Sequence, residues 1–238
     1  MRFRKQHGLA FALALACHPV PTLALAVGLA VAAALSGRSG GEVLLVAATV
    51  LVGQLTVGWM NDVVDRERDR QVGRQDKPVA MDWADPGTVT FAVACAVLVV
   101  IPLSIANGTA AGIAYLAAVL SLWMYNLFLK LTAFSWLPYA VSYALFPAFL
   151  SYGGLGGGLH GGPPTIAMTV LAALLGVGVH FLTALPDLVE DNQTGAKNLP
   201  LRLALRTGAP RLLWISVAGT ALVGVGLVIA ALTVGLRQ

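Results

Sequence analysis

Charge is what this sequence has least of. Only 11% of its 238 residues are Asp, Glu, Lys or Arg, against roughly a quarter in a soluble globular domain. With 58% hydrophobic residues and a mean hydropathy of +0.80, that scarcity argues against water as the main solvent. Cysteine is nearly missing too. Cys17 and Cys95 are far apart and both fall in apolar stretches, so neither a disulfide framework nor a metal-ligand spacing follows. The net charge of +4 comes with no DNA- or RNA-binding motif, so nucleic acid is not an expected partner.

What the chain has instead is long apolar runs. Crossing a ~30 Å hydrocarbon core takes about 20 apolar residues, and seven segments offer them: 9–35, 42–60, 88–106, 109–129, 132–152, 165–184 and 210–235. They leave no room for a separate soluble domain. The expected architecture is one membrane domain over residues 1–238, an all-α, multi-pass transmembrane helical bundle. The start, MRFRKQHGLAFALALAC, has the basic and apolar regions of a secretory signal. The apolar pattern runs on past it, and an uncleaved first helix is expected.

Charge orients the spans. If they alternate, one face collects thirteen of the fifteen basic residues, all but Arg38 and Arg237, and the positive-inside rule makes that face cytoplasmic. Ten of the eleven acids share it, all but Glu42. Orientation does not require this, because acidic residues contribute little to topology. Carboxylates are wanted there for another reason.

Two acidic loops on that face follow one pattern. DRERDRQVGRQDKP (65 to 78) and DLVEDNQTGAKNLP (187 to 200) both fit D-x3-D-x-Q-x-G-x4-P, 122 positions apart. Such an internal repeat often sets a membrane-protein site between two halves. At 100° per residue, Asp62, Asp65 and Asp69 share one helical face with Asn61 at its edge, and Asp187 and Asp191 are likewise stacked. Glu190 is adjacent to the second face and its role stays open. Stacked like charges are unfavourable unless neutralised, and clustered carboxylate oxygens suit a hard cation such as Mg²⁺, which completes its shell with water and substrate phosphates. Arg66, Arg70, Arg74, Lys77, Lys130, Lys197 and Arg202 would offer charge to a diphosphate. The plain alternative is a pair of solvated salt-bridged loops, which the shared spacing, glycine and proline disfavour.

NDVVDRERD (from Asn61) resembles the NDxxDxxxD motif of the UbiA superfamily of intramembrane prenyltransferases, and RQDKPVA resembles the segment after it. DLVEDNQTGAKNLPLRL is similar to that family's second aspartate-rich motif, YNLFLK (Tyr125 to Lys130) to its Tyr/Lys element, and His18–Pro19 sits where many members have Arg-Pro. The resemblance covers nearly the whole chain. Three departures stand out: seven spans where members often have nine, Ala184 where the second motif commonly begins with aspartate, and His18 for arginine. The resemblance implies an active site at the cytoplasmic helix ends. There Asn61, Asp62, Asp65, Asp69, Asp187 and Asp191 hold Mg²⁺ on an isoprenoid diphosphate, with Tyr125 and Lys130 in catalytic roles and Arg66, Arg74, Lys77, Lys197 and Arg202 on the diphosphate. An electron-rich acceptor, aromatic or a quinone precursor, takes the prenyl group beside the lipid bilayer.

Plainer roles compete for several residues. Membrane-end tyrosines such as Tyr125, Tyr139 and Tyr143 are commonly interfacial anchors, Lys130 has the place of a snorkelling lysine, and His180 that of a histidine packed between helices. GGLGGGLHGGPP (153 to 164) matches no phosphate-loop spacing and reads as a connector. Other functions compete: a UbiA-type enzyme that cyclises the cation or transfers it to a lipid, haem or sugar phosphate, and a cation or organic-ion transporter. A transporter would carry acids in mid-helix; here they lie at helix ends.

Overall fold

The computed structural model describes residues 8–154 and 161–236. The chain divides into two compact units, Met1–Asn107 and Gly108–Gln238, and every regular element among the described residues is helical. The first unit holds α1 (Leu9–Ala16), α2 (Pro19–Leu35), α3 (Gly40–Gln71) and α4 (Pro86–Ala106). Within it α3 is central, packing against α1, α2 and α4. The second unit holds α5 (Thr109–Met124), a π-turn at Tyr125–Leu129, α6 (Leu137–Tyr152), α7 (Ile166–Ala184), a 3₁₀ turn at Leu185–Asp187, α8 (Leu188–Gln193), α9 (Leu199–Thr207) and α10 (Ala209–Thr233). Here α6 packs between α5 and α7, and α10 lies on α7.

The first expected span is broken. Pro19 lacks an N–H and pushes the residue before it out of the right-handed α region, which ends α1; His18 takes the left-handed φ of 56°. The α1–α2 axis bends by 65° there. The Cys17 carbonyl freed by the break accepts the Thr22 hydroxyl at 2.7 Å, and Trp59 Nε1 on α3 donates to Leu13 O at 2.8 Å. Gly58 makes the seat possible, because a Cβ there would collide with the Cys17 carbonyl group.

Among the described residues, five helical segments are long and apolar enough to cross a membrane, or six if the bent pair is one span. Seven were expected. The shortfall beyond the bent pair is α6, whose 16 residues fall below the ~20 a perpendicular crossing needs. Apolar composition marks such a segment without measuring its helix.

The second correction concerns α3. The expected span ended at residue 60, with Asn61 onward in a loop. The helix instead continues to Gln71, because neither glycine nor proline occurs between residues 61 and 72. Its 32 residues extend about 48 Å, well beyond a bilayer core. A Ser39–Glu42 capping box starts it, with Ser39 N donating to Glu42 Oε2 at 2.9 Å. The first aspartate row is therefore the helical end of a span.

Candidate functional site

In the first unit, the chain after α3 folds back over its last turns. Val79 and Ala84 join Ala12 and Val89 in a buried cluster against Trp59, Val63 and Trp83. The acidic face of α3 is removed from solvent: Asn61, Asp62, Asp65 and Asp69 are all buried, Asp62 completely. Buried carboxylates need partners. Val79 N donates to Asp62 Oδ2 at 3.0 Å, and Asn61 Nδ2 donates to Asp65 Oδ2 at 2.9 Å. Lys77, also buried, places Nζ 3.2 Å from Asn61 Oδ1 and 3.8 Å from Asp62 Oδ1. Asp62 Oδ1 accepts no hydrogen bond among the described residues. Arg70 ties the cover down through Ala80 O at 3.0 Å and an ion pair with Asp82.

Arg66 is exposed. Arg74 turns to Asp76, giving two hydrogen bonds at 2.8 and 2.7 Å, and these hold the Asp76 carboxyl down to about 2. A depressed folded value stabilises above the ordinary carboxylate range and is lost as pH falls through about 2. The Asp76 carboxyl resonance is expected to titrate near that value; an ordinary midpoint, about 4, would contradict the pairing.

In the second unit, Asp191 on α8 is buried and Asp187 is half-buried at the 3₁₀ turn before it. Asn198 Nδ2 donates to Asp191 Oδ2 at 2.5 Å, while its Oδ1 caps α9 by accepting Leu201 N at 2.9 Å. Ser135 Oγ accepts Leu199 N at 3.4 Å and lies 3.0 Å from His180 Nε2. His180, fully buried on α7, packs 5.0 Å from the Tyr139 ring and 5.6 Å from that of Tyr125. Tyr125 opens the π-turn, where Lys130 N reaches back to Tyr125 O at 2.8 Å; such turns recur at functional sites. Lys130 is half-buried, whereas Lys197 and Arg202 are exposed.

The two aspartate patterns close in the same way. Arg74 N donates to Asp69 O and Ala196 N to Asp191 O, both at 2.9 Å. Gly73 and Gly195 each have φ 71°. This is the 6→1 closure of a Schellman cap, which needs a left-handed residue. Gly73→Ala and Gly195→Ala are each expected to cost about 1–2 kcal/mol, read as a lower melting temperature for each variant. No loss in either would mean the turns are not strained.

Beyond that closure the copies diverge. Asn198 bonds to Asp191, whereas its counterpart Asp76 pairs with Arg74. Sequence reasoning passed over Asn198. The N-L-P step, a capping residue with proline near the first helical position, could have flagged it as a helix start; the bond to Asp191 has no sequence signal. The Lys77–His18 contact, 2.9 Å, likewise joins residues distant in sequence. Among the described residues, no group of three or more His, Cys, Asp or Glu side chains is arranged to hold a metal ion by itself.

Among the described residues, helices long and apolar enough to cross a membrane occur together with buried carboxylates at the end of α3 and on α8. The family model that matches residues 19–237 is the UbiA prenyltransferase family, and the chain belongs to it; it is a prenyl-transferring enzyme by that membership. A UbiA homologue from Archaeoglobus fulgidus bound to GPP and Mg²⁺ is similar in fold, with TM-score 0.72, 18% identity, and coverage of 93% of this chain and 78% of that one. The same organism's homologue bound to DMAPP and Mg²⁺ gives 0.69 and 18%, over 90% and 75%. A comparison with curated proteins returns no significant match.

Proposed function

We propose that this chain is a Mg²⁺-dependent prenyltransferase. It takes the prenyl group from an isoprenoid diphosphate to an aromatic or quinone-precursor acceptor, with its aspartate rows on the cytoplasmic side of the membrane. One observation carries the reading: a single carboxylate pattern, closed by the same glycine turn, occurs once in each unit of a chain from this family. The homologue structures with GPP or DMAPP and Mg²⁺ support the donor and the ion.

The donor set fits the ion. Asp62 is buried with one oxygen that accepts no hydrogen bond among the described residues, and Asp65 and Asp69 lie on the same helical face. Mg²⁺ takes one or two carboxylates and fills its shell with water and phosphate, so no ready-made cage of three acids is needed. Asn61, Asp62, Asp65 and Asp69 would hold it in the first unit, Asp187 and Asp191 in the second. When bound, Mg²⁺ supplies a Lewis acid that stabilises departing pyrophosphate.

The chain's own residues do the rest. Lys77, Arg66, Arg74, Lys197 and Arg202 bring charge to phosphate oxygens, where positive groups favour the leaving anion. The loop cover over α3 excludes water from the carboxylates. Tyr125 and Tyr139 form a T-shaped pair 5.1 Å apart, and aromatic faces steady a cation; Lys130 closes the π-turn through its backbone bond to Tyr125 O. The positive-inside distribution of Lys and Arg supports the cytoplasmic side.

Purified protein offered Mg²⁺ and geranyl, farnesyl or longer diphosphates, with and without aromatic acceptors, tests this. Mg²⁺-dependent pyrophosphate release with a prenylated acceptor is expected, and it should vanish in Asp65→Asn and in Asp187→Asn. Release that survives both substitutions would sink the site. A cyclic hydrocarbon made without acceptor would overturn the acceptor assignment.

A further inference from the structure

The stretch after α8 carries charge of one sign. From Asn192 to Gln238 the sequence has no Asp or Glu, while Lys197, Arg202, Arg206, Arg211 and Arg237 are basic. Arg202 and Arg206 stand one turn apart on α9, so their guanidinium groups share a helical face. Both are exposed, and like charges at that spacing repel unless an anion lies between them. Arg202 spends Nε on Lys197 O at 2.8 Å, which leaves its terminal N–H groups to meet such an anion.

The two arginines line a cleft of about 480 Å³ whose other walls are Ala133, Leu199, Leu203 and Leu205. That volume is within the roughly 300–1,000 Å³ of small-ligand sites. The cleft belongs wholly to the second unit. The turn that bears Ala133 is tied to the start of α9 by Lys197 N on Leu131 O at 2.9 Å and Leu199 N on Ser135 Oγ at 3.4 Å.

Its place relative to the bilayer follows from the neighbours of α9. The helix joins two segments long and apolar enough to cross a membrane, Ile166–Gln193 and Ala209–Thr233. Both its ends are thus held at the membrane surface. Alternating leucines and arginines make it amphipathic, the pattern of a helix that lies in the interface. Pro200 and Leu201 are buried, whereas Leu205 is 68% exposed. Trp214, early in α10, is 73% exposed, and tryptophan is enriched at headgroup depth. Basic pockets at helix ends suit anionic lipid headgroups. A zwitterionic headgroup would bring its own cation against the arginines.

We propose that the α9 cleft is a binding site for the headgroup of an anionic membrane phospholipid. Arg202 and Arg206 take the phosphate, and Leu199, Leu203 and Leu205 pack against the glycerol and first acyl carbons. Arg202 also belongs to the diphosphate set proposed above; Arg206 does not, and it carries the test.

Native mass spectrometry of the full chain in neutral detergent, titrated with phosphatidylglycerol or phosphatidylcholine, reads the site. A single phosphatidylglycerol is expected to be retained in preference to phosphatidylcholine. Arg206→Gln should raise its half-saturating concentration about tenfold, the loss of one hydrogen bond to a charged group, and Arg206→Lys should recover part of that loss. Arg211→Gln removes a charge outside the cleft, which salt at about 0.15 M screens, and should stay within about twofold of the unaltered protein. Equal retention of the two lipids, no shift in Arg206→Gln, or an equal shift in Arg211→Gln overturns the site. Because Arg206 is exposed, its variants should melt like the unaltered protein without lipid. Geranyl diphosphate separates the lipid from the enzyme's own substrate. Arg206→Gln should leave unchanged the geranyl diphosphate concentration that half-saturates pyrophosphate release. A rise there, or displacement of the retained phosphatidylglycerol by geranyl diphosphate, assigns the cleft to the substrate and overturns the lipid.

Discussion

Asp62→Asn is expected to slow Mg²⁺-dependent pyrophosphate release by about 10²–10³-fold, the loss typical when one group that stabilises developing charge is removed. The fold should survive the change. Asp62 is completely buried and accepts Val79 N at 3.0 Å through Oδ2, which an asparagine oxygen can also do. What asparagine cannot supply is the negative charge, or a second oxygen in place of Oδ1, which accepts no hydrogen bond among the described residues. A steady-state rate with geranyl diphosphate and a melting curve on the same sample decide the matter. A rate within about tenfold of the unaltered enzyme, with the fold intact, would show that Asp62 is a loop anchor only.

The first aspartate row was conspicuous because acids are so rare in this chain. Repetition of the pattern from Asp65 onward, 122 positions later, separated it from a solvated loop, although Asp62 itself has Ala184 as its counterpart. Helical periodicity alone grouped Asp62, Asp65 and Asp69, and the structure has them on one face of α3. Less legible was where the helix ends. Hydropathy drops at residue 61, but backbone hydrogen bonding continues until Gly73 permits the left-handed turn, so an apolar boundary was mistaken for a helix boundary. The break at His18 had a visible cause in Pro19, though not its 65° size. Contacts that depend on chain return left no local trace: the loop of Val79 over Asp62, Lys77 against His18, Asn198 on Asp191, Ser135 beside His180. Each joins residues whose types are ordinary and whose meeting is set by packing.

Gly176 shows how such packing reaches the chemistry. It lies on α7 where α6 comes closest, and a Cβ there would strike the Tyr139 carbonyl and stand 2.7 Å from Tyr143 Cβ. The first obstacle is backbone and cannot swing aside, so α6 and α7 would have to part. Gly176→Ala is expected to cost about 1–3 kcal/mol by overpacking, and Gly176→Val more, seen as a progressive fall in melting temperature. Activity should fall with it, because Tyr139 holds its place against both the Tyr125 ring at 5.1 Å and His180 at 5.0 Å. Gly224→Ala on α10 is the control: nothing lies within 4 Å of its added carbon, and a helical glycine replaced by alanine gains up to about 1 kcal/mol. If Gly176→Ala behaves like Gly224→Ala, then α6 and α7 are not in contact at this point and the aromatic cluster around His180 does not depend on their approach. If only Gly176 is sensitive, a residue with no side chain is what allows the tyrosines and the histidine to meet.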